Sequence, residues 1–514
     1  MPTTLYRRGR VRTPDRPDAT AVVVVDGRLG WVGAEAGADT HVDAVDVVVD
    51  LDGALVLPAF VDAHAHLSHT GMGLRGVDLG GTTSVALALR AVDDAARRGG
   101  GRPVFVLNWQ EQDWAENRPL TAAELDRASY GGVVYASRVD GHSAVVSSAL
   151  AMLSGADRLD GWLGDGLVTR DAKNAARAAF DAARSPDQRR QDIADALRAA
   201  AARGIATVHE CGGPLLTSAE DFADVLDLGG RPDAPRTVGY WAEAVTEPEQ
   251  ARALVALHGA AGLAGDLNID GSLGSHTAHL REPYADDAGC RGTAYRSSAD
   301  VRDHVAACAL AGIQSGFHVI GDAGMDVVLQ GYLAAAELVG PEVVRATRPR
   351  LEHAEMVDAD GIATMARLGM VASVQPAFDA SWGGPAGLYE SRLGRDRVPG
   401  TNPYAAMAAA GVGLAFGSDA PVTPFDPWGA VRAAIHHHQR DQRVEPAAAL
   451  AAHTSGGHRA AREDGGGVLR VGGPATFAVW DAAQLGPDGL PELGPGTTAP
   501  SCRVTVRDGI VLTS

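Results

Sequence analysis

The chain has 514 residues, 46% apolar and 21% charged, and a formal net charge of −19. A chain of that length and composition builds a large buried core, and its acidity argues against nucleic acid or an anionic membrane as partner. No apolar stretch approaches bilayer length, no charged-then-apolar leader is read ahead of the first strand, and the four cysteines (Cys211, Cys290, Cys308, Cys502) lack paired spacing. The expectation is a cytoplasmic protein, monomer or homodimer, that acts on a small molecule and has no thiolate metal site.

The first fifty residues read as short β segments (20–25, 29–32, 45–51) separated by Gly and Asp turns, and the last fifty read alike (474–480, 503–513). We therefore expect a β-sandwich built from both termini, residues 1–57 and 464–514, around a middle domain of residues 58–463. After an apolar run ending in His64-Ala65-His66, residues 71–203 lack a simple βα rhythm and read as an insertion. Its helical patterns are 84–98, 121–128, 172–184 and 188–202, and its strands 104–108 and 132–137. From Gly204 the alternation turns regular, with strand-like runs at 205–208, 236–241, 266–269, 314–320, 350–353, 371–374 and 413–416 between Ala-rich helical stretches. With the run ending at His64 these make eight strands, the count of a distorted (β/α)₈ barrel of TIM type.

In an extended strand, positions i and i+2 share a face, so His64 and His66 project together. His318, His353 and Asp419 close later runs, and His209-Glu210 follows Val208. A lone histidine after a strand is ordinarily structural. These residues converge on one mouth only if the chain closes as a barrel, and the strand count rests on apolar periodicity, independent of the histidines. Imidazoles with a carboxylate suit Zn²⁺, with Mn²⁺ or Fe²⁺ as alternatives. Such an ion lowers the pKa of its water and polarises a carbonyl, so a metal-bound hydroxide is the expected nucleophile. Asp419 would move the water's proton to the leaving nitrogen, and His353 would bind a second ion or the substrate carbonyl.

The chain resembles the amidohydrolase superfamily, in particular its YtcJ-like branch, amidohydrolase family 3. The resemblance is carried by the stretches Pro58–His66, Asn108-Trp109, Arg118–Thr121, Arg138–His142, Asp270–Ser275, His318–Asp322, Glu352–Ala354 and Gly417–Val422, in order across nearly the whole chain. It implies metal-dependent hydrolysis, usually of C–N bonds such as those of amides, formamides or cyclic amides. Esters, carbamates and other non-peptide bonds are the alternative, and a catalytically silent binding or scaffold relative the second. His64, His66 and Asp419 would hold the more buried ion, and His318 and His353 a second or shared one. The insertion would roof the pocket, and Trp109, Arg138, His142, Asp270 and His276 would contact substrate.

Many relatives bridge two ions with a carbamylated lysine on strand four. Here the corresponding position is Asp266, and the sole lysine, Lys173, lies in the insertion. The simplest expectation is one tightly held ion, with Asp266 or Glu210 as the bridging group if there are two. The run His436-His437-His438 lies in a helical pattern and is read as structural.

Overall fold

Parallel strands buried on both faces read as continuous apolar runs, and eight of these form the central sheet of the computed structural model, which describes residues 2–513. They are β1 (Phe60–Ala65), β2 (Ile205–Gly212), β3 (Arg236–Trp241), β4 (Gly262–Leu263), β5 (Gln314–Val319), β6 (Arg350–His353), β7 (Val371–Val374) and β8 (Gly413–Phe416). The sheet runs in sequence order from β1 to β8 with every pair parallel. It closes where Ala65 bridges Ala420, with the Asp419 amide donating to the His64 carbonyl at 2.7 Å and the His66 amide to the Ala420 carbonyl at 2.9 Å. This is the expected mixed α/β barrel.

The fourth strand departs from the expectation at residues 266–269. Only Gly262 and Leu263 join the ladder. Gly265 then takes a left-handed conformation (φ +79°), where glycine is favoured. The chain leaves the sheet, rejoining it only as an isolated bridge from Asn268 to His318. Leu263, Leu267 and Ile269 keep the apolar alternation going across the break, which hides it from periodicity. β2 is longer than expected, so His209 and Glu210 lie within it rather than after it.

A second surprise lies inside the barrel. Arg350 and Glu352, alternate residues of β6, are fully buried. The guanidinium donates to both Glu352 oxygens (2.5 and 2.9 Å), to the Ala63 carbonyl at 2.8 Å and to Ser373 Oγ at 3.1 Å. It also lies 4.2 Å from the Tyr240 ring centroid. A buried charge pair survives only when its remaining donors and acceptors are filled, as here.

The termini form two further sheets. One is ordered Arg28–Gly33, Ala21–Val25, Thr4–Arg7, Val47–Asp50; the other is ordered Arg10–Val11, Leu55–Pro58, Phe477–Asp481, Ser501–Arg507, Ile510–Thr513. Tyr6, Val22, Leu29, Phe477 and Val506 share one core between them. The insertion has a five-stranded sheet of its own, with Val104–Trp109 and Val134–Arg138 parallel and central. Three of its helices start as follows: Ser84 accepts from the Leu87 amide, and Thr121 and Ser185 close reciprocal capping boxes. The helix Pro427–Ile435 stops before the three histidines, and His437 and His438 both turn to Asp379 (3.4 and 3.1 Å). No described helix is long and apolar enough to cross a membrane.

Candidate metal centre

The C-terminal mouth of the barrel collects four imidazoles and two carboxylates. Asp266 Oδ2 lies 3.1 Å from His66 Nε2; its Oδ1 lies 3.5 Å from His64 Nε2, 3.5 Å from His318 Nδ1 and 3.8 Å from His353 Nε2. Asp419 Oδ1 lies 3.1 Å from His66 Nε2 and 3.4 Å from His64 Nε2. Asp266 is therefore common to two ligand groups, His64/His66/Asp266 and Asp266/His318/His353, each with donor atoms within 4.8 Å of one another.

The outward nitrogens fix which atoms face inward. His64 Nδ1 donates to Glu352 Oε2 at 2.9 Å, His318 Nε2 to the Gly271 carbonyl at 3.2 Å, and His353 Nδ1 to Gln375 Oε1 at 2.8 Å. Each ring thus turns a lone pair towards the carboxylates, the arrangement metal-ligating histidines need. The Arg350–Glu352 pair in the barrel interior is what anchors His64. The site also holds strained backbone: His353 (φ +67°), Ala354 (φ +46°) and Asp419 (φ +55°) are non-glycine residues in the left-handed region. Gly417 is required because a Cβ there would lie 2.5 Å from the His64 amide nitrogen.

The electrostatics ask for a cation. Burial would depress His66, yet Asp266 and Asp419 push it up to about 10; against burial, Cys211, Asp266 and Asp419 raise His64, and Asp266 and Asp270 raise His318. Burial would raise Asp266 and Asp419, but the imidazoles hold both below the usual carboxylate range. His64 Nε2 and Asp266 Oδ1 are buried without a hydrogen-bond partner. Protons on the imidazoles and a divalent ion are alternative answers to one demand for positive charge, so the donor set fits such an ion.

A cavity of about 590 Å³ opens above this centre, lined at its floor by His66, Asp266, His318, His353 and Asp419. Arg138 and His142 line its wall as expected, though Arg138 is already paired with Glu111 and Asp140. Three expected substrate contacts lie elsewhere. Trp109 is buried in the insertion's own core, its indole donating to the Ala136 carbonyl at 2.9 Å. Asp270 uses its carboxylate on the amides of His279, Ile320 and Gly321 (2.8–2.9 Å), tying the β4–β5 loop to β5. His276 pairs with Asp286 at 3.0 Å, away from the cavity. Glu210 is not among the grouped donors; its Oε2 accepts from the Leu67 amide at 2.7 Å.

Sequence reasoning assigned no role to Glu352, Arg350, His69 or Arg296, and set Lys173 aside as distant; His69, Arg296 and Lys173 line the cavity, while Glu352 and Arg350 support His64. Charged residues alternating about Leu351 in the short strand Arg350–His353 were the signal for Arg350 and Glu352. For His69, Lys173 and Arg296 no local signal exists.

The family model for "Amidohydrolase family" matches residues 47–512. The chain belongs to the amidohydrolase family. Among family members, it is 27% identical over 441 residues to "Putative amidohydrolase YtcJ" of Bacillus subtilis, covering 81% of this chain and 80% of that one. It is 24% identical over 463 residues to "N-substituted formamide deformylase" of Arthrobacter pascens, covering 81% and 80%. The crystal structure of an uncharacterized metal-dependent hydrolase from Pyrococcus horikoshii superposes with a TM-score of 0.75 at 23% identity, covering 93% of this chain and 97% of that one; the two share a fold. In this amidohydrolase an aspartate, Asp266, occupies the position common to both ligand groups.

Proposed function

We propose that this amidohydrolase cleaves a C–N bond of a small molecule, an amide, formamide or cyclic amide, using one or two divalent ions, Zn²⁺ before Mn²⁺ or Fe²⁺. The observation that carries the reading is Asp266, whose two oxygens face His66 on one side and His64, His318 and His353 on the other. That sharing favours two adjoining ions over one. His64, His66 and Asp419 would hold the first, His318 and His353 the second, with Asp266 between them. An ion held there supplies Lewis acidity, activating water and polarising a carbonyl.

The chain's own residues do the rest. Asp419 faces the cavity and presents Oδ1 to His64 and His66, which keep it ionised. It takes the proton of the attacking water and delivers it to the leaving nitrogen. His353, fixed by Gln375, orients the carbonyl or its ion. The insertion walls the cavity and limits water access. The relative named as a formamide deformylase supports C–N over ester chemistry. The free cysteines fit a reducing cytoplasm, and the acidic surface fits neither nucleic acid nor membrane. We hold a homodimer as the working assembly.

The test is a screen of N-acyl, N-formyl and lactam compounds with Zn²⁺ or Mn²⁺, against a chelated control. Hydrolysis of C–N compounds that stops on chelation is the expected result; rates that chelation leaves untouched would remove the metal from the account. Asp419→Asn should lower kcat by about 10²–10⁴-fold while most of the bound metal is retained, and undiminished turnover would remove Asp419 as proton carrier.

A further inference from the structure

The run His436-His437-His438 is not among the donors of the metal centre, yet two of its rings reach that centre through one short helix. Helix Pro376–Trp382 follows β7, has seven residues and starts at Gln375 with no side-chain cap. A helix that short owes its place to packing rather than to propensity. Gln375, at its cap, and Phe378, one turn on, both meet His353. Gln375 Oε1 accepts from His353 Nδ1 at 2.8 Å, and the Phe378 ring lies parallel to the imidazole (9°) with centroids 5.9 Å apart. His353 itself stands in the left-handed region (φ +67°), a conformation that persists only where its surroundings hold it.

Gln375 has little else to hold it. Its Nε2 is buried without a hydrogen-bond partner, so the amide group is placed by its backbone, whose carbonyl accepts from the Phe378 amide at 2.9 Å and from Tyr404 Oη at 3.3 Å. The residue after Phe378, Asp379, ties that turn down. It is buried, and its partners among the described residues include no arginine. Oδ2 accepts from the His438 amide at 3.0 Å and from His438 Nδ1 at 3.1 Å, and Oδ1 faces His437 Nε2 at 3.4 Å, short of a hydrogen bond. His437 is fully buried, and its Nδ1 accepts from the Gln439 amide at 3.0 Å, which leaves the ring proton on Nε2, towards the acid. The same ring packs edge-on against Tyr404, with centroids 5.4 Å apart. Both routes from the histidines, through Asp379 and through Tyr404, thus end on Gln375.

We propose that His437 and His438 are positioning residues for His353, acting through Asp379 and the helix that begins at Gln375. This rests on the hydrolytic reading above and extends it from the barrel mouth to the segment that stands behind it. A buried carboxylate needs donors wherever it lies, and that need alone would make the histidines structural. It does not account for the place of the acid, on the one turn whose other side chains, Gln375 and Phe378, both bear on His353. His436 marks the limit of the arrangement: its Nε2 donates to the Leu493 carbonyl at 3.0 Å and takes no part.

Chelator competition and the visible spectrum of the Co²⁺-loaded protein test it, since both report on the metal site without turnover. Gln375→Ala, which removes the direct partner of His353, should weaken metal retention by about 10–100-fold and alter the spectrum. Asp379→Ala should alter it in the same way and weaken retention by about tenfold. Asp379→Asn should recover most of that loss, because its amide oxygen still accepts from His438. His438→Ala truncates a side chain that is 33% exposed, so folding is not at stake, and it should fall between Asp379→Ala and the wild type. His436→Ala should match the wild type. A wild-type spectrum and wild-type retention in both Asp379→Ala and His438→Ala would overturn the proposal and leave the hydrolytic reading intact, and so would a loss of thermal stability alone. Should Asp379→Ala fail to fold, His438→Ala decides by the same criterion. A wild type that binds no Co²⁺ would overturn the hydrolytic reading itself, and the proposal with it.

Discussion

Asp266 has two oxygens and four imidazoles around them, and it owes that position to what stands behind each ring. His64 is the best supported, because its Nδ1 donates to a glutamate that is itself clamped by Arg350. Glu352→Gln would leave that guanidinium buried with its only carboxylate countercharge gone. Breaking a buried pair from one side costs about 3–5 kcal/mol, so urea unfolding should show a loss of that order; a change below about 1 kcal/mol would mean that Arg350 finds another partner. The pH dependence has a definite sign. Burial would raise the Glu352 carboxyl, but Arg350 and His64 hold it at about 2 against an ordinary value near 4.5. A depressed folded-state pKa contributes stability that is fully present above about pH 4.5 and is lost as pH falls towards 2. The wild type should lose on the order of 3 kcal/mol more than Glu352→Gln across that window.

At the scale of elements, the barrel was largely legible and its mouth only partly so. Seven strands lie where the sequence places them, since parallel strands buried on both faces are largely apolar, with β6 (Arg350, Glu352, His353) the exception. β4 does not, because a left-handed Gly265 breaks the ladder without disturbing the apolar alternation. That break turns Asp266 out of a strand and into the mouth, so the feature missed in the fold is the one that builds the site. His64, His66, His318, His353 and Asp419 could be read because each ends a strand. The cavity positions of Lys173 and Arg296 could not, because they depend on how the insertion helix and the β4–β5 loop fold over the mouth. Trp109 and Asp270 misled for the converse reason: motif residues beside a site were spent on holding a sheet and a loop together. The β1–β8 junction offers a direct test. Gly417→Ala puts a Cβ 2.5 Å from the His64 amide nitrogen, and the backbone shift should cost about 1–3 kcal/mol in thermal or chemical unfolding and weaken metal retention. Wild-type stability with full metal content would show that the junction is looser than described.

For the whole molecule, the terminal sheets, barrel and insertion divide the work. Leu55–Pro58 runs directly into β1 while pairing with Phe477–Asp481, and Phe60 packs on both Trp428 and Trp480. The strand that carries His64 and His66 is therefore braced at its start by the terminal sheets and at its end by Ala420. A frame this rigid is what a multi-ligand centre needs, and the insertion and loops are left to set specificity. The account turns on Asp266 as the shared ligand of two adjoining ions. Elemental analysis of protein purified with Zn²⁺ or Mn²⁺, wild type beside Asp266→Asn, tests this most directly. Two equivalents per chain should be found in the wild type, with at least one lost, and hydrolysis with it, in Asp266→Asn. A wild type that retains no metal, or an Asp266→Asn variant with the same metal content and rate, would contradict it.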